Sequence, residues 1–383
     1  MRLKPVSRLQ PSHNYVLDLS YSAAGSHLSA ALSNDAVHLF SADTSGALQA
    51  VDTLPDQQGF VTQLDFPSAA QPDQLFAATS TGLLRSYDLA SGQQVEGCST
   101  DDKEIFCFAV NNRHIAAGCK GELVLWDRQS SQKLALFDDT HAEDVVQVDF
   151  HPVSSQITVS ASLDGLVSVF DFSEGVDEDN SFKAALNWDA SIARMAFCGS
   201  RMEHLWLTSN TEGLCLWEWQ AACDEEGAGG EGPLAEVHDA RELLTAALTL
   251  YDAGLGLQHP IVRLLGCERD PHSDQLLALA SSEDGLAAAF PMQYPASGSP
   301  AGNFAFSQPL YVLENGHAEV VRSYCWPAKG GTLAFTGGED GYVTSWKIPN
   351  AAAASKHKAH QNTEPSAGTS SKNKKGAKRR KPS

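Results

Sequence analysis

Long apolar runs are missing from this 383-residue chain. The longest apolar-rich stretch, Leu243 to Tyr251, falls far short of the ~20 residues that span a bilayer, so no membrane partner is expected. Met1 to Gln10 carries charges but no apolar segment, so no secretory signal is expected. Paired cysteines are missing too. Cys98, Cys107, Cys119, Cys198, Cys215, Cys223, Cys267 and Cys325 form no C-x-x-C, and most stand inside apolar strand runs. They read as small buried side chains in a reducing compartment, with zinc or redox use as the alternative. No G-x-x-x-x-G-K-[ST] loop, no G-x-G-x-x-G after a strand and no H-E-x-x-H occurs. Without a nucleotide, dinucleotide or zinc-hydrolase signature, no catalytic, cofactor-binding or metal-binding residue is assigned, no cofactor is expected, and the chain is not read as an enzyme.

What is present is charge, unevenly placed. The formal net charge is −20, yet residues 351–383 hold nine basic residues and one acid, or +8. The remainder holds 18 basic and 46 acidic residues, or −28. An acidic body of this kind repels nucleic acid, and only the tail attracts it. The tail is Ala, Ser, Lys and Gly with almost nothing apolar after Ala354, a composition that predicts disorder. Its cluster Lys374, Lys375, Lys378, Arg379, Arg380 and Lys381 reads as a nuclear-import signal or an RNA-contacting tail, against the plainer reading of a solubilising charge run.

The stretch Thr140 to Asp171 sets the architecture. It has an opening His, alternating apolar runs at 145–150, 157–160 and 166–170, and a tight turn at Asp164-Gly165. These are strands of an antiparallel meander, a unit whose open edges and two faces cannot stand alone. The turn recurs at Asp35, Thr81-Gly82, Lys120-Gly121, Glu212-Gly213, Asp284-Gly285 and Asp340-Gly341. A short apolar strand follows each and ends in Phe40, Tyr87, Trp126, Phe170, Trp217, Phe290 or Trp346, with an acid next in Tyr87-Asp88, Trp126-Asp127, Phe170-Asp171 and Trp217-Glu218. Copies roughly 40–45 residues apart that end in Trp-Asp have the period of a propeller blade.

On these residues the chain resembles the WD40-repeat family from about Lys4 to Pro349. The resemblance implies an all-β, seven-bladed WD40 β-propeller over residues 1–350, followed by a disordered basic C-terminal tail at 351–383. The blades are expected at 12–54, 58–97, 103–137, 140–189, 191–240, 258–313 and 315–349, the last completed by residues 3–10 so that the ring has no open edge. Pro5 suits only an edge strand. By resemblance, His317, Thr336, Asp340 and Trp346 form a hydrogen-bonded tetrad: carboxylate, imidazole, hydroxyl, indole. The corresponding set His141, Ser160, Asp164 and Phe170 is cut short, because Phe has no donor. These residues read as blade structure rather than as ligand contacts.

Three segments depart from the period: the acidic loop 177–180, the Gly- and acid-rich loop 222–232, and a connection beginning at Gly298 to Gly302. A blade insertion is expected at about 222–260. Within it, Asp239 to Leu248 is rich in helix formers, with Asp239 as a candidate N-cap and Glu242 in the capping-box position. Asp239, Arg241 and Glu242 are candidate partner contacts, or else Arg241 pins its own loop through a carboxylate.

A non-catalytic protein-interaction scaffold is expected, monomeric on its own and working in a multiprotein complex. Nucleus or nucleolus is the expected location, with cytoplasm otherwise, and the resemblance together with the tail points toward ribosome assembly. Two alternatives stand. One is a substrate receptor of a cullin-type ubiquitin ligase, for which Trp126-Asp127-Arg128 places Arg one position early. The other is RNA contact through the basic tail. An enzyme built across blades would require polar residues of shifted pKa in the axial channel.

Overall fold

Each tight turn read from the sequence joins the second and third strands of a separate antiparallel sheet. The computed structural model describes residues 1–54, 57–67, 70–223, 232–252, 259–273, 275–295 and 302–349. The expected tail with its Lys374 to Lys381 cluster lies outside the described residues, as does most of the 222–232 loop and of the connection near 300.

Met1–Ile348 forms one unit of seven sheets, six of them four-stranded and one six-stranded. Blade one runs Val16–Ser22, His27–Leu32, Val37–Ala42 and Leu48–Thr53, from the inner strand outward. Blades two to four begin at Val61–Asp65, Cys107–Val110 and Val145–Phe150, and blades five to seven at Ile192–Cys198, Ile261–Arg269 and Val321–Cys325. Because successive strands alternate in direction, the tight turns and the connections between blades share one face, called upper here. The inner strands start at that face.

The turns obey backbone sterics. Gly165 has φ +86°, and a Cβ there would meet the carbonyl oxygen of Trp188 at 2.4 Å. Blade one lacks the glycine, and Asp35 takes the left-handed conformation itself at φ 65°. Between blades the cores are apolar: Val159, Val169, Leu186, Met195 and Leu207 pack blade four on blade five. All eight cysteines are free, and six are buried. Burial pushes the Cys98 thiol up to about 11 and those of Cys119 and Cys198 up to about 12, which leaves them protonated and inert.

Closure differs in one respect from the expected pattern. Ser7–Leu9 is the outer strand of blade seven, antiparallel to Val343–Lys347, with Ser7 opposite Ser345. Arg2–Leu3 instead joins blade six, parallel to Tyr311–Leu313. The chain changes sheets at Pro5, which lacks the N–H a continuous strand would need. Blade six gains a further strand, Ala305–Phe306, and so has six where four were expected.

The expected insertion divides in two. Ala235–Val237 is the outer strand of blade five, paired with Leu214–Trp217. A 3₁₀ turn, Trp219–Cys223, precedes it, and an α-helix, α1 (Arg241–Tyr251), follows it on the way to blade six. Leu244, Ala247 and Leu248 of α1 are buried in the core shared by blades five and six. The capping box read from the sequence does not form: Ala240 occupies the N-cap position, and no side chain caps the helix. Ala240 is fully buried and its N–H donates to the carbonyl of Glu212 at 2.9 Å, so packing sets the helix start one residue later than the propensity pattern. Asp239 accepts from the Arg241 N–H and the Arg241 guanidinium instead.

Candidate functional site

In blade seven, His317 Nδ1 lies 3.0 Å from Asp340 Oδ1, His317 Nε2 lies 2.8 Å from Thr336 Oγ1, and Trp346 Nε1 donates to Thr336 Oγ1 at 2.8 Å. Asp340 also accepts from the Ala318 and Tyr342 N–H groups. Burial pushes its carboxyl up, but the His317 bond and these amides prevail and hold it below the usual carboxylate range. In blade four, His141 reaches Asp164 at 3.3 Å and Ser160 at 2.8 Å, and the series ends there because Phe170 has no N–H. Sequence reasoning missed a third pair: His259 Nδ1 lies 2.7 Å from Asp284 Oδ2 in blade six, with Ser282 donating to the same carboxylate. The Asp284-Gly285 turn marked one member, but the histidine arrives from the long connection, out of step with the other copies.

The candidate partner residues Asp239, Arg241 and Glu242 stand together at the start of α1 on the upper face, beside an open groove of about 560 Å³ shared with Thr245, Pro260 and Val262. Arg241 Nη2 and Asp239 Oδ2 are 2.6 Å apart, with both side chains more than two-fifths exposed. An exposed pair of this kind contributes about 0–1 kcal/mol to stability. Leu243, Ala246 and Leu250, at i, i+3 and i+7, form an outward apolar stripe on α1, with Leu250 66% exposed.

Arg128 is engaged elsewhere. Its guanidinium donates to the Asn111 carbonyl, to Gln71 Oε1 and to Gln74 Oε1, binding blade two to blade three. The acidic loop at 177–180 is also structural in part, since Glu178 accepts the Leu136 N–H of blade three.

The inner strands wall an axial channel of about 520 Å³ whose lining includes Asp18, Asp65, Arg194, Glu268 and Tyr324. The repeated V-x-Q-x-D-F at Val61–Phe66 and Val145–Phe150 is the signal that sequence reasoning passed over: Gln63, Asp65, Gln147 and Asp149 alternate with buried Val and Leu. Burial pushes Asp65 and Asp149 up to about 7, helped by the charges of Asp18 on Asp65 and of Asp65 on Asp149. Burial also raises Glu268 to about 7, against a hydrogen bond from Tyr324. This is the kind of cluster that an enzymatic reading asks for. Among the described residues no group of His, Cys, Asp and Glu is close enough to hold a metal ion, and burial holds the adjoining Cys325 thiol protonated.

The raised carboxyls have a consequence for stability. Unfolded Asp titrates near ~3.9, so the unfolded chain loses its protons first and stability falls as pH rises from about 4 to about 7. All three side chains remain partly open to the channel, and solvent screening reduces the effect. Asp65→Asn with Asp149→Asn should raise Tm at pH 8 by roughly 2 °C or more and flatten Tm between pH 4 and 7, as read by calorimetry.

A register-equivalent position, the third residue of the inner strand, lies just past a bulge in six blades: Asp18, Gln63, Gln147, Arg194, Arg263 and Ser323. At four of them the side chain stitches one blade to the next: Ser323 donates to the Val16 carbonyl at 3.3 Å, and the other three accept a backbone N–H. Asp18 accepts the Leu64 N–H at 2.7 Å, Gln63 the Phe108 N–H at 2.8 Å, and Gln147 the Met195 N–H at 3.1 Å. Arginine cannot accept. Between blades five and six, Glu212 takes the Leu264 N–H instead, and between six and seven Ser281 takes the Val321 N–H at 3.1 Å.

The family model for WD40 (WD domain, G-beta repeat) matches residues 132–171 and 307–347, each running from an outer strand of one blade, three or six, through the third strand of the next, where the His141 and His317 sets stand. WD repeat-containing protein GTS1 of Arabidopsis thaliana is 29% identical over 345 residues, covering 87% of this chain and 81% of that protein. WD repeat-containing protein 89 homolog of Dictyostelium discoideum is 26% identical over 335 residues, covering 87% and 82%. A chain in a crystal structure of the mitotic checkpoint complex superposes with a TM-score of 0.64 over 90% of this chain and 95% of its own, at 16% identity, a likeness of fold alone. No described helix is long and apolar enough to cross a membrane. The chain is thus a seven-bladed propeller that carries WD40 repeat matches at residues 132–171 and 307–347 and is similar over most of its length to WD repeat-containing proteins.

Proposed function

We propose that this chain is a non-catalytic scaffold that joins protein partners through the upper rim at blades five and six, in a nuclear or nucleolar assembly. A WD40 propeller is a protein-interaction fold, and rigid sheets hold its loops in fixed positions. The observation that carries the reading is α1. A propeller needs only a turn between blades, yet here an eleven-residue helix is docked on the core, with Leu243, Ala246 and Leu250 directed outward beside Arg241. Fixed apolar side chains rimmed by charge are what a partner surface requires, since little order remains to be gained on binding. Nuclear address is assigned to Lys374, Lys375, Lys378, Arg379, Arg380 and Lys381, on their charge density against an acidic ring. Ribosome assembly is the process that the sequence resemblance suggests.

One experiment tests both parts. The full chain, an Asp239→Ala/Arg241→Ala/Glu242→Ala variant and a chain lacking 372–381 are expressed in cells, with partners read by affinity purification and mass spectrometry and location by imaging. The rim variant should lose a defined set of partners while staying nuclear, and the deletion should move to the cytoplasm. Unchanged partners would refute the rim, and an unchanged nuclear signal would refute the address. A cullin adaptor among the partners would favour the ligase-receptor reading, and pre-ribosomal particles would favour ribosome assembly.

A further inference from the structure

We propose that His151 is an acid-sensitive latch on the lower face: its neutral imidazole holds Trp219 and its 3₁₀ turn in the seam between blades four and five, and a proton on the ring releases them. The latch goes beyond the scaffold reading and does not depend on it.

The first support is the register. In three blades the first residue after the inner strand caps the lower turn with its side chain. Asn111 Oδ1 accepts the Arg113 and His114 N–H groups at 2.8 and 2.7 Å, and Asp270 Oδ2 accepts the Ser273 N–H at 2.8 Å. In blade four, His151 Nδ1 accepts the Val153 and Ser154 N–H groups at 3.2 and 2.8 Å. Asn and Asp are the usual residues for such a turn. An imidazole can replace them only with a bare nitrogen, so Nδ1 carries no proton and the hydrogen stands on Nε2. A proton at Nδ1 turns the acceptor into a donor that faces two other donors. The turn cannot keep its bonds and a protonated His151 together.

The second support is what packs on the ring. His151 is 4% exposed. Two aromatic rings of blade five meet it, Phe197 edge-on at 4.8 Å between centroids and Trp219 at 5.5 Å. Trp219 is buried in the core that holds Val159, Leu186 and Met195, and its indole N–H donates to the Met202 carbonyl at 2.8 Å. His151 Nε2 is buried without a hydrogen bond, so an imidazolium there would have no counter-charge. Burial pushes the imidazole pKa down, and the Met202 carbonyl opposes it only in part. The charged groups on the neighbouring elements are otherwise engaged. Glu203 accepts the Arg201 N–H, and the charges of Glu203 and Glu218 act on His204. Asp149, on the same strand, accepts from Gln147. Arg113, in the blade-three turn whose Asn111 donates to the Ser155 carbonyl, has the wrong sign. The ring can take a proton only by swinging out to water, and Phe197 and Trp219 then lose the surface they pack against.

A released imidazole takes its proton near the ordinary value of about 6.5. The latch is therefore at full strength above that pH and weakens as pH falls through it, and the released population rises about tenfold between pH 7.5 and pH 5.5. Hydrogen exchange read by mass spectrometry on the full chain at these two pH values, corrected for the chemical rate, is the test. Protection of the amides at 219–223 and of Val153 and Ser154 should fall about tenfold on acidification. His151→Asn, which copies what Asn111 does in blade three, should abolish that fall and leave other pH-dependent segments as they were. Nitrogen NMR spectra of the imidazole in the parent chain should show the Nε2–H tautomer at pH 7.5 and a protonated ring that grows in step with the loss of protection. The latch is overturned by equal protection of these amides at the two pH values, or by an Asn variant whose protection falls as the parent's does. A protonated His151 in a chain whose 219–223 amides stay protected would overturn it too. If the Asn variant does not fold, the parent's exchange and spectra decide between these outcomes.

Discussion

A chain lacking residues 1–9 is expected to melt roughly 10 °C or more below the full chain, or to be recovered only as aggregate. Two sheets lose an edge at once. Without Ser7–Leu9, the strand Val343–Lys347 of blade seven becomes open, and without Arg2–Leu3 the strand Tyr311–Leu313 of blade six does too. Leu3 leaves the core that it shares with Leu279, Val321 and Trp346. Arg2 adds an electrostatic loss. It pairs with Asp252 and with Glu314 and lies 5.7 Å from the Tyr251 ring centroid, tying the N-terminus to the end of α1. The Asp252 side chain is 1% exposed, and its second oxygen has no hydrogen bond. Removing one member of a buried pair costs about 3–5 kcal/mol, so Arg2→Ala alone should give a substantial part of the deletion's effect, read by thermal denaturation. An Arg2→Ala variant with the parent's Tm would show that the pair contributes nothing.

The second large effect belongs to blade seven. His317→Ala breaks the bond to Asp340 and leaves Thr336 and the carboxylate short of a partner in a site where His317 is 7% exposed. A loss of about 2–4 kcal/mol is expected in urea denaturation. Trp346→Phe removes the indole donor and part of a fully buried ring, leaving blade seven with the bonds that blade four has, at a loss of at least about 1–2 kcal/mol. The comparable change in blade four, His141→Ala, should lose less, because its bond to the carboxylate is longer, 3.3 Å against 3.0 Å. Burial lowers the His141 pKa. Its stabilising contribution is therefore present above the unfolded value of about 6.5 and is lost as pH falls toward the folded one. Equal losses at His317 and His141 would show that the shorter carboxylate bond carries no extra weight.

Much of this was legible in the chain because repetition turns weak local signals into a strong one. A single Asp-Gly turn says little, but seven turns at blade spacing, each followed by a short strand and an aromatic, restrict the fold to a ring. The helix former run after Asp239 was legible for the same reason, as a local propensity. Its first residue was not, because buried Ala240 and the Glu212 carbonyl decide it from another blade. The parallel pairing of Arg2–Leu3 with blade six was hidden likewise, since contacts more than 300 residues apart leave no local pattern. Gln63, Asp65, Gln147 and Asp149 were visible as alternation, but alternation does not say whether the polar side meets solvent or a channel. Arg194 and Arg263 stand out only once the register shows what the same position does in the other blades.

Closure by the N-terminal strands fixes the upper rim and the channel mouth in place, and hydrogen exchange on the intact chain tests it most directly. The Val312 and Glu314 N–H groups donate to Met1 and Leu3, and the Val6 N–H donates to Ser345, at 2.8, 3.1 and 2.9 Å. These three amides should exchange as slowly as those of the central strands of their blades. Exchange at the rate of a free edge, with the central strands still protected, would contradict a ring held shut at its N-terminus.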